Sequence, residues 1–403
     1  MHKVCGAIFG CFWGLHNQVA IASTCESYDN PTNLVESDQM TVNESSGLAP
    51  SRITPGVYYT HNDSGSDGEL FSFDLAGNML GTHAVENASS IDWEDMAIGP
   101  CPENLAKRAS NPNSCLYIGD IGDNPHERSS VTIHITDEPA PATEQADAPA
   151  NLLASWSVTY DETNDETGKP DSEALLVHPT TGDVSLLTKS VDGITEVHRV
   201  PSGMAHKDTA AMSLISTLQL EGSTGFDLMV TGGDWDEDGE RLIIRTYITA
   251  LLWETDPCAP DSHWATAPTV LEWAIEQQGE AITFAGNLDP SLPGAIISTS
   301  EGTPMPINGA ACSGFVMGKD SGCGDTAETA TDSGPAIDTS GAGLEDGTDT
   351  PSQELTDDEQ PSKTQGCSGC RSAALSLLFL PWFAFRCGWN KRMHAESKSL
   401  YDI

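Results

Sequence analysis

One pattern constrains the fold of this chain more than any other. A short acidic lead-in runs into an apolar strand-like stretch, a turn, and a second strand that ends in acids. It is clearest between Asn87 and Asn124, where Asp92-Trp93-Glu94-Asp95 leads into Met96-Ala97-Ile98. There Leu116-Tyr117-Ile118 is followed by Gly119-Asp120-Ile121-Gly122-Asp123-Asn124, and Val131 to Ile135 and Ala154 to Tyr160 supply further strands. An earlier copy holds Glu44-Ser45-Ser46-Gly47-Leu48-Ala49, Val57 to Asp63, Glu69 to Asp74 and, past the turn Ala76-Gly77-Asn78, Met79 to Val85. In it Leu70, Ser72 and Asp74 alternate with Phe71, Phe73 and Leu75, the period of a strand with one face more buried than the other. Later copies run over Glu173 to Leu220, Phe226 to Ile275, and Glu280 to Glu301. The outer strands of the last copy are weakly marked, and Phe315-Val316-Met317 or the segment before Glu44 could supply one.

Repeats of about four short strands, roughly 55 residues each, predict an all-β chain folded as a β-propeller: five four-stranded blades around a channel, with six as the other possible count. An outer strand borrowed from the N-terminal segment would close the ring and leave no edge exposed. A β-sandwich would explain the strands but not the recurring acids. The 37 glycines and 24 prolines fit a chain with this many turns.

Composition narrows the partners. Sixty acidic residues against 18 basic ones give a formal charge of −42. Gripping phosphates needs clustered Lys and Arg, so no nucleic acid is expected as a partner. Cations are the natural counter-species, and such a surface also suits solubility in an extracellular or salty medium.

The two ends read as targeting segments. Residues 1–22 combine a basic start at Lys3, an apolar run and Ala20-Ile21-Ala22, which predicts a cleaved secretory signal. Thr24 before Cys25 is a poor fit to lipid attachment at that cysteine. Residues 23–42 read as a linker, possible home of a strand near Val35 or Val42, and 43–318 as the propeller. Residues 319–366 are rich in Asp, Thr, Ser, Gly and Pro with few large apolar side chains, which predicts a disordered acidic stalk. In 367–403, Cys367-Ser368-Gly369-Cys370 precedes the uncharged run Ser372 to Phe385 and the basic Arg386, Lys391 and Arg392. That run is shorter than the ~20 residues of a spanning helix. A retained membrane anchor and a processed sorting signal are both open, with Cys367 and Cys370 as the anchoring positions. Export makes disulfides the natural use of the cysteines: Cys101 with Cys115, then Cys258 with Cys312, leaving Cys25 and Cys323.

In a propeller the innermost strand of each blade lines the channel, so acids that open those strands converge on one mouth. They are Glu44, Asp92 with Glu94, Asp171 with Glu173, and Glu280, with Asp227 or Asp234 in the fourth unit. A second set, Asp63 and Asp120 with Asp123, comes from strand ends. Converging carboxylates repel unless a cation, protons or water compensate them. A hard, oxygen-seeking Ca2+ would suit the ring, and Glu44, Asp63, Glu94, Asp120 and Glu280 are its candidate ligands. The alternative is that these acids latch neighbouring blades through backbone N–H groups. Asp234-x-Asp236-x-Asp238-Gly239 opens like a calcium-binding EF-hand loop, but Arg245 stands where a bidentate Glu is required, and a hairpin turn is the better reading. No nucleophile elbow, zinc-protease motif or phosphate-cradling glycine loop is present. If the chain is an enzyme, which the sequence leaves open, Glu94 and His61 are the candidate catalytic residues.

These motifs taken together carry a resemblance. Glu44-Ser-Ser-Gly-Leu-Ala, Thr60-His-Asn-Asp-Ser-Gly, Asp92-Trp-Glu-Asp, Gly119-Asp-Ile-Gly-Asp-Asn and Arg245-Thr-Tyr resemble a group of secreted bacterial β-propellers of unsettled activity, over about Glu44 to Glu301. Trp235 to Glu240 is similar to the hairpin turn of TolB-type repeats. Glu-x-Ser-Gly-Leu at the head of a blade is more distantly similar to esterase-like phytase-type and gluconolactonase-type propellers, whose channel carboxylates hold calcium. The Cys motif, apolar segment and basic cluster resemble myxobacterial-type C-terminal sorting signals. The resemblance implies a protein secreted to the cell surface or outer membrane, attached through its C-terminus. The first functional expectation is a monomer that acts as a calcium-stabilised binding module for an unknown ligand or surface partner. A metal-dependent lactonase or phosphoesterase using mouth carboxylates is the alternative.

Overall fold

The computed structural model describes residues 23–38, 42–63, 68–140, 148–160, 169–259, 261–273 and 276–318. The chain divides into the units Met1–Glu328 and Thr329–Ile403, and every described residue lies in the first. The readings of 1–22 as a signal, of 319–366 as a stalk and of 367–403 as an anchor therefore fall outside the described residues.

The described residues form a five-bladed β-propeller of antiparallel sheets. Blade 1 holds Ser45–Pro50, Val57–Asn62, Glu69–Asp74 and Met79–Ala84, in that order from channel to rim. Blade 2 holds Trp93–Gly99, Cys115–Asp120, Val131–Asp137 and Leu152–Thr159. Blade 3 holds Ser172–Val177, Val184–Thr188, Ile194–Arg199 and Ser213–Gln219. Blade 4 holds Val230–Trp235, Arg241–Thr246, Thr249–Glu254 and Thr269–Glu272. Blade 5 takes Gly279–Phe284, Ile296–Ser300 and Met305–Ala310 from its own stretch, and its rim strand is Thr32–Ser37. The segment read as a linker thus closes the ring, and Phe315-Val316-Met317 does not fill that place. Val316 instead bridges Thr24.

The five innermost strands pack side by side in sequence order, and Gly279–Phe284 returns to Ser45–Pro50. Each gap between blades has its own apolar cluster. Leu70, Met96 and Ile118 fill the gap between blades 1 and 2, and Ala97, Tyr117, Leu175 and Leu186 the gap between 2 and 3. Leu176, Val197, Leu242 and Ile244 lie between 3 and 4, and Ile243, Ile282 and Ile296 between 4 and 5. Leu48, Phe71, Phe73 and Ile307 complete the circle. Neighbours on one strand therefore face opposite clusters. This corrects the expectation that one face would be more buried than the other: Leu70 and Phe71 point to different blades and both are buried, because each sheet is covered on two sides. Trp93 is fully buried between blades 1 and 2, where truncation to Ala would cost about 3–5 kcal/mol.

Two further contacts were not legible beforehand. Thr209–Ala211 runs parallel to Leu152–Thr159, so blade 3's chain adds a fifth strand to blade 2. Ser27–Tyr28 pairs with Cys312–Ser313, which brings Cys25 to Cys312 at a Cα separation of 5.6 Å, and the two are disulfide-bonded. The expected Cys258–Cys312 pair is thus wrong, because the pairing of Tyr28 with Cys312 sets Cys25 beside that cysteine. Lipid attachment at Cys25 is incompatible with that bond. Cys101–Cys115 is a disulfide as expected, and Cys258 is also disulfide-bonded.

Candidate functional site

Every innermost strand slips register near its start. The irregularity falls between Trp93 and Asp95, Ser172 and Ala174, Val230 and Gly232, Gly279 and Ala281, and Ser45 and Leu48. A bulge leaves its extra residue outside the ladder and re-aims its side chain. That residue is Glu94 in blade 2, Glu173 in blade 3 and Glu280 in blade 5. In blade 4 it is Thr231, whose Oγ1 donates to the Gly279 carbonyl at 2.9 Å. In blade 1, Ser46 Oγ donates to the Glu94 carbonyl at 2.5 Å. The bulges thus either present a carboxylate to the channel mouth or latch one blade to the next.

The two acids weighed for blade 4 lie elsewhere. Asp227 accepts from the backbone N–H groups of Ser223 and Thr224 in a tight turn, and Asp234 from Thr283 Oγ1 and the Phe284 N–H. The Asp234–Gly239 stretch is a hairpin turn: Asp236 accepts from the N–H groups of Glu240 and Arg241, and Gly239 has φ of 75°. Arg241 pairs with Asp236 at 2.9 Å, so this turn carries its own counter-ion.

At the mouth, Asp63, Asp92 and Glu94 each offer an oxygen, and these oxygens all lie within 4.8 Å of one another. Oxygens on opposite sides of one calcium ion lie up to ~5 Å apart, so this spacing matches a shared ion. Gly122 packs against the group, and a Cβ there would stand 2.1 Å from Glu94 Oε1 and 2.7 Å from Asp92 Oδ2. The Gly119-Asp-Ile-Gly-Asp-Asn turn is therefore shaped to the carboxylates. Glu173, Glu280, Glu301 and Glu44 extend the acidic group around the mouth. Burial, then repulsion from Asp92, Glu173, Glu280 and Glu301, pushes Asp63 up to about 9. Burial and the charges of Glu280 and Glu44 push Glu301 up to about 8, and burial with Glu173 pushes Asp171 up to about 7. Glu94, fully enclosed and facing Glu173 and Asp63, is raised well above the usual carboxylate range.

Two oxygens of this group are buried without a hydrogen-bond partner: Asp63 Oδ1 and Glu280 Oε2. A buried acceptor left unmet costs about 1–3 kcal/mol. The donor set is all oxygen, which suits a hard cation. One ammonium sits among the acids. Lys189 Nζ lies 2.8 Å from Glu173 Oε1 and 5.3 Å from the centre of the Tyr247 ring.

Of the predicted ligands, the structure brings Glu44, Asp63, Glu94 and Glu280 to this mouth. Asp120 is held apart: its carboxylate pairs with Arg128 at 2.9 Å and accepts from Ser89 Oγ and the Asp92 N–H. It latches the lead-in of blade 2. His61 has no exposure and stands edge-on to Trp93, 5.4 Å between centroids, with Nε2 against Gly47. Burial lowers it to about 4, so it is neutral at physiological pH. It packs between blades 1 and 2. Asp171 is latched as well, accepting from the Asp123 N–H at 2.6 Å.

Three residues were missed. Asp92 counts among the converging acids but not among the candidate ligands, yet it completes the oxygen triad. Lys189 follows a strand with no motif around it. Asp95 lies one residue deeper in the channel and accepts from the N–H groups of Met96, Leu175 and Gly233 at 2.8, 2.9 and 3.3 Å, tying blade 2 to blades 3 and 4. The Arg245-Thr-Tyr motif does have a place here. Arg245 is buried against Glu276 at 2.7 Å beneath Gly279, where a Cβ would not fit, and Tyr247 faces Lys189.

A cleft of about 520 Å³ lies elsewhere, at the rim of blade 2, lined by Glu86, Arg108, Asn151, His206 and Lys207 among others. It gathers no set of converging acids. No helix among the described residues is long and apolar enough to cross a membrane.

No family model matches the chain, and no curated protein matches it. Among solved structures, one described as a glucose dehydrogenase is similar over 70% of this chain and 99% of its own, at 8% identity and a TM-score of 0.39.

Proposed function

We propose that this chain is an exported, surface-attached β-propeller that binds a partner or ligand and is stabilised by one calcium ion at its acidic mouth. The observation that carries the reading is the Asp63–Asp92–Glu94 triad, with the partnerless Asp63 Oδ1 beside it. Calcium would supply the charge that seven acids and a single lysine lack, holding the starts of blades 1 and 2 together. Asp63, Asp92 and Glu94 would hold it, and Glu280 adds to the negative charge around them. The disulfides support an oxidising compartment. Attachment would come through the segment 367–403, by Cys367 and Cys370.

Melting of the full chain in calcium and in chelator tests the metal. The account expects a higher midpoint in calcium, and equal midpoints would defeat it. The enclosure of the His61 ring between blades tells against it as the base of the hydrolase reading. That reading would rest on Glu94 alone. If wild type turns over a lactone or phosphoester and Glu94→Gln abolishes turnover with the fold intact, the enzyme reading replaces the binding module.

A further inference from the structure

The mouth is asymmetric in a way its carboxylates alone do not show. On one side stand Asp63, Asp92 and Glu94, whose oxygens lie within 4.8 Å of one another, with Asp63 Oδ1 buried and unmet. On the other, Glu173, Glu280 and Tyr247 surround the ammonium of Lys189, which Glu94 and Glu280 also attract. Lys189 is fixed there at both ends. Its N–H donates to the Asp171 carbonyl at 2.8 Å, and its Nζ donates to Glu173 Oε1 at 2.8 Å. Arg245, the other cation near Glu280, is taken by Glu276 at 2.7 Å.

The Lys189 side nevertheless has more acceptor than the lysine satisfies. Glu280 is 4% exposed and its Oε2 has no partner. Glu173 is 2% exposed and Glu301 stands close to Glu280. Carboxylates from the bulges of two blades, a third beside them and a phenol ring are a cation's surroundings, and the Lys189 ammonium stands among them, against Glu173. An ammonium is a compact, strongly hydrated point charge, the side chain best able to stand in for an ion.

We propose that the mouth has two cation positions: one between Asp63, Asp92 and Glu94 that takes a divalent ion, and one between Glu173, Glu280 and Glu301 that the ammonium of Lys189 fills. Lys189 thereby sets the stoichiometry of the site at one ion. Removing its charge opens the second position to calcium. This rests on the reading of the triad as a cation site, and the experiment separates the two.

The test is a count of calcium bound by the full chain, by equilibrium dialysis, for wild type and for Lys189→Met and Lys189→Arg. The rest of this acidic chain binds calcium weakly in every variant, so the quantity read is the difference between proteins at low micromolar free calcium. We expect one tightly held ion in wild type and in Lys189→Arg, and two in Lys189→Met. One ion in both wild type and Lys189→Met overturns the Lys189 proposal and leaves the triad standing. None in wild type but one in Lys189→Met overturns the triad and keeps the proposal. None in either overturns both. If Lys189→Met folds only when calcium is added and then holds two ions, the ion has replaced the ammonium as proposed. If it fails to fold with calcium present, the lysine is merely structural and the proposal falls.

Discussion

Asp95→Ala is the sharpest perturbation of the frame on which the mouth is built. Asp95 is fully buried and serves three backbone N–H groups, two of them on blades 3 and 4. The Ala variant leaves the N–H groups of Leu175 and Gly233 buried without acceptors, at about 1–3 kcal/mol each. Burial raises the Asp95 carboxyl well above its usual range, so removing it also relieves a cost of enclosure. The net loss should be about 2–4 kcal/mol, which for a domain of this size is a fall in melting midpoint of roughly 4–16 °C. Differential scanning calorimetry in chelator gives the number. The midpoint gain on adding calcium should survive, because Asp95 bonds blades and not the ion. An Asp95→Ala protein as stable as wild type would refute the latch. One that has lost only its calcium response would mean Asp95 is a ligand.

Gly122→Ala places a methyl group where Glu94 Oε1 and Asp92 Oδ2 now stand. Its calcium affinity should drop about tenfold or more, read by calorimetric titration, while circular dichroism keeps the wild-type spectrum. Without metal, stability should fall between pH 7 and pH 9. Asp171, Glu301 and Asp63 are pushed up to about 7, 8 and 9, so the folded chain holds protons that the unfolded chain, titrating near 4, has released. Stability therefore falls as pH rises through that window. Calcium should flatten the slope, and 0.5 M salt in both arms removes the contribution of overall charge. Cys25→Ser frees the strap that joins the N-terminal segment to Cys312 across 287 residues of chain. It should cost about 3–5 kcal/mol in oxidising buffer and nothing measurable in reductant.

How much of this could be read beforehand depended on the kind of interaction. The blades were legible because their signal is local: Val57–Asn62 and Arg241–Thr246 carry strand composition, and Asp236 to Gly239 carries turn chemistry. The borrowed rim strand was legible in outline, since five blades with a weak last one need an outer strand. The second disulfide was not. Which of Cys25 and Cys258 meets Cys312 is settled by the pairing of Tyr28 with Cys312, a contact between chain ends with no local mark.

The mouth divides the same way. Glu94, Glu173 and Glu280 could be found because they recur at the head of a strand. Asp120 recurs equally well but bonds Arg128, and nothing in the sequence says that this basic residue would fold back on it. Lys189 and Asp95 were invisible for the opposite reason. Asp95 ties its strand to Leu175 and Gly233 of two other blades, and Lys189 stands between Glu173 of its own blade and Tyr247 of the next, pairings with no local mark.

The central claim is that Asp63, Asp92 and Glu94 hold a calcium ion. Crystals of the full chain grown with calcium, measured for anomalous scattering, test it most directly. The account predicts a single strong peak about 2.3–2.6 Å from oxygens of all three side chains. A mouth without such a peak, its acids sharing protons in place of an ion, would contradict it.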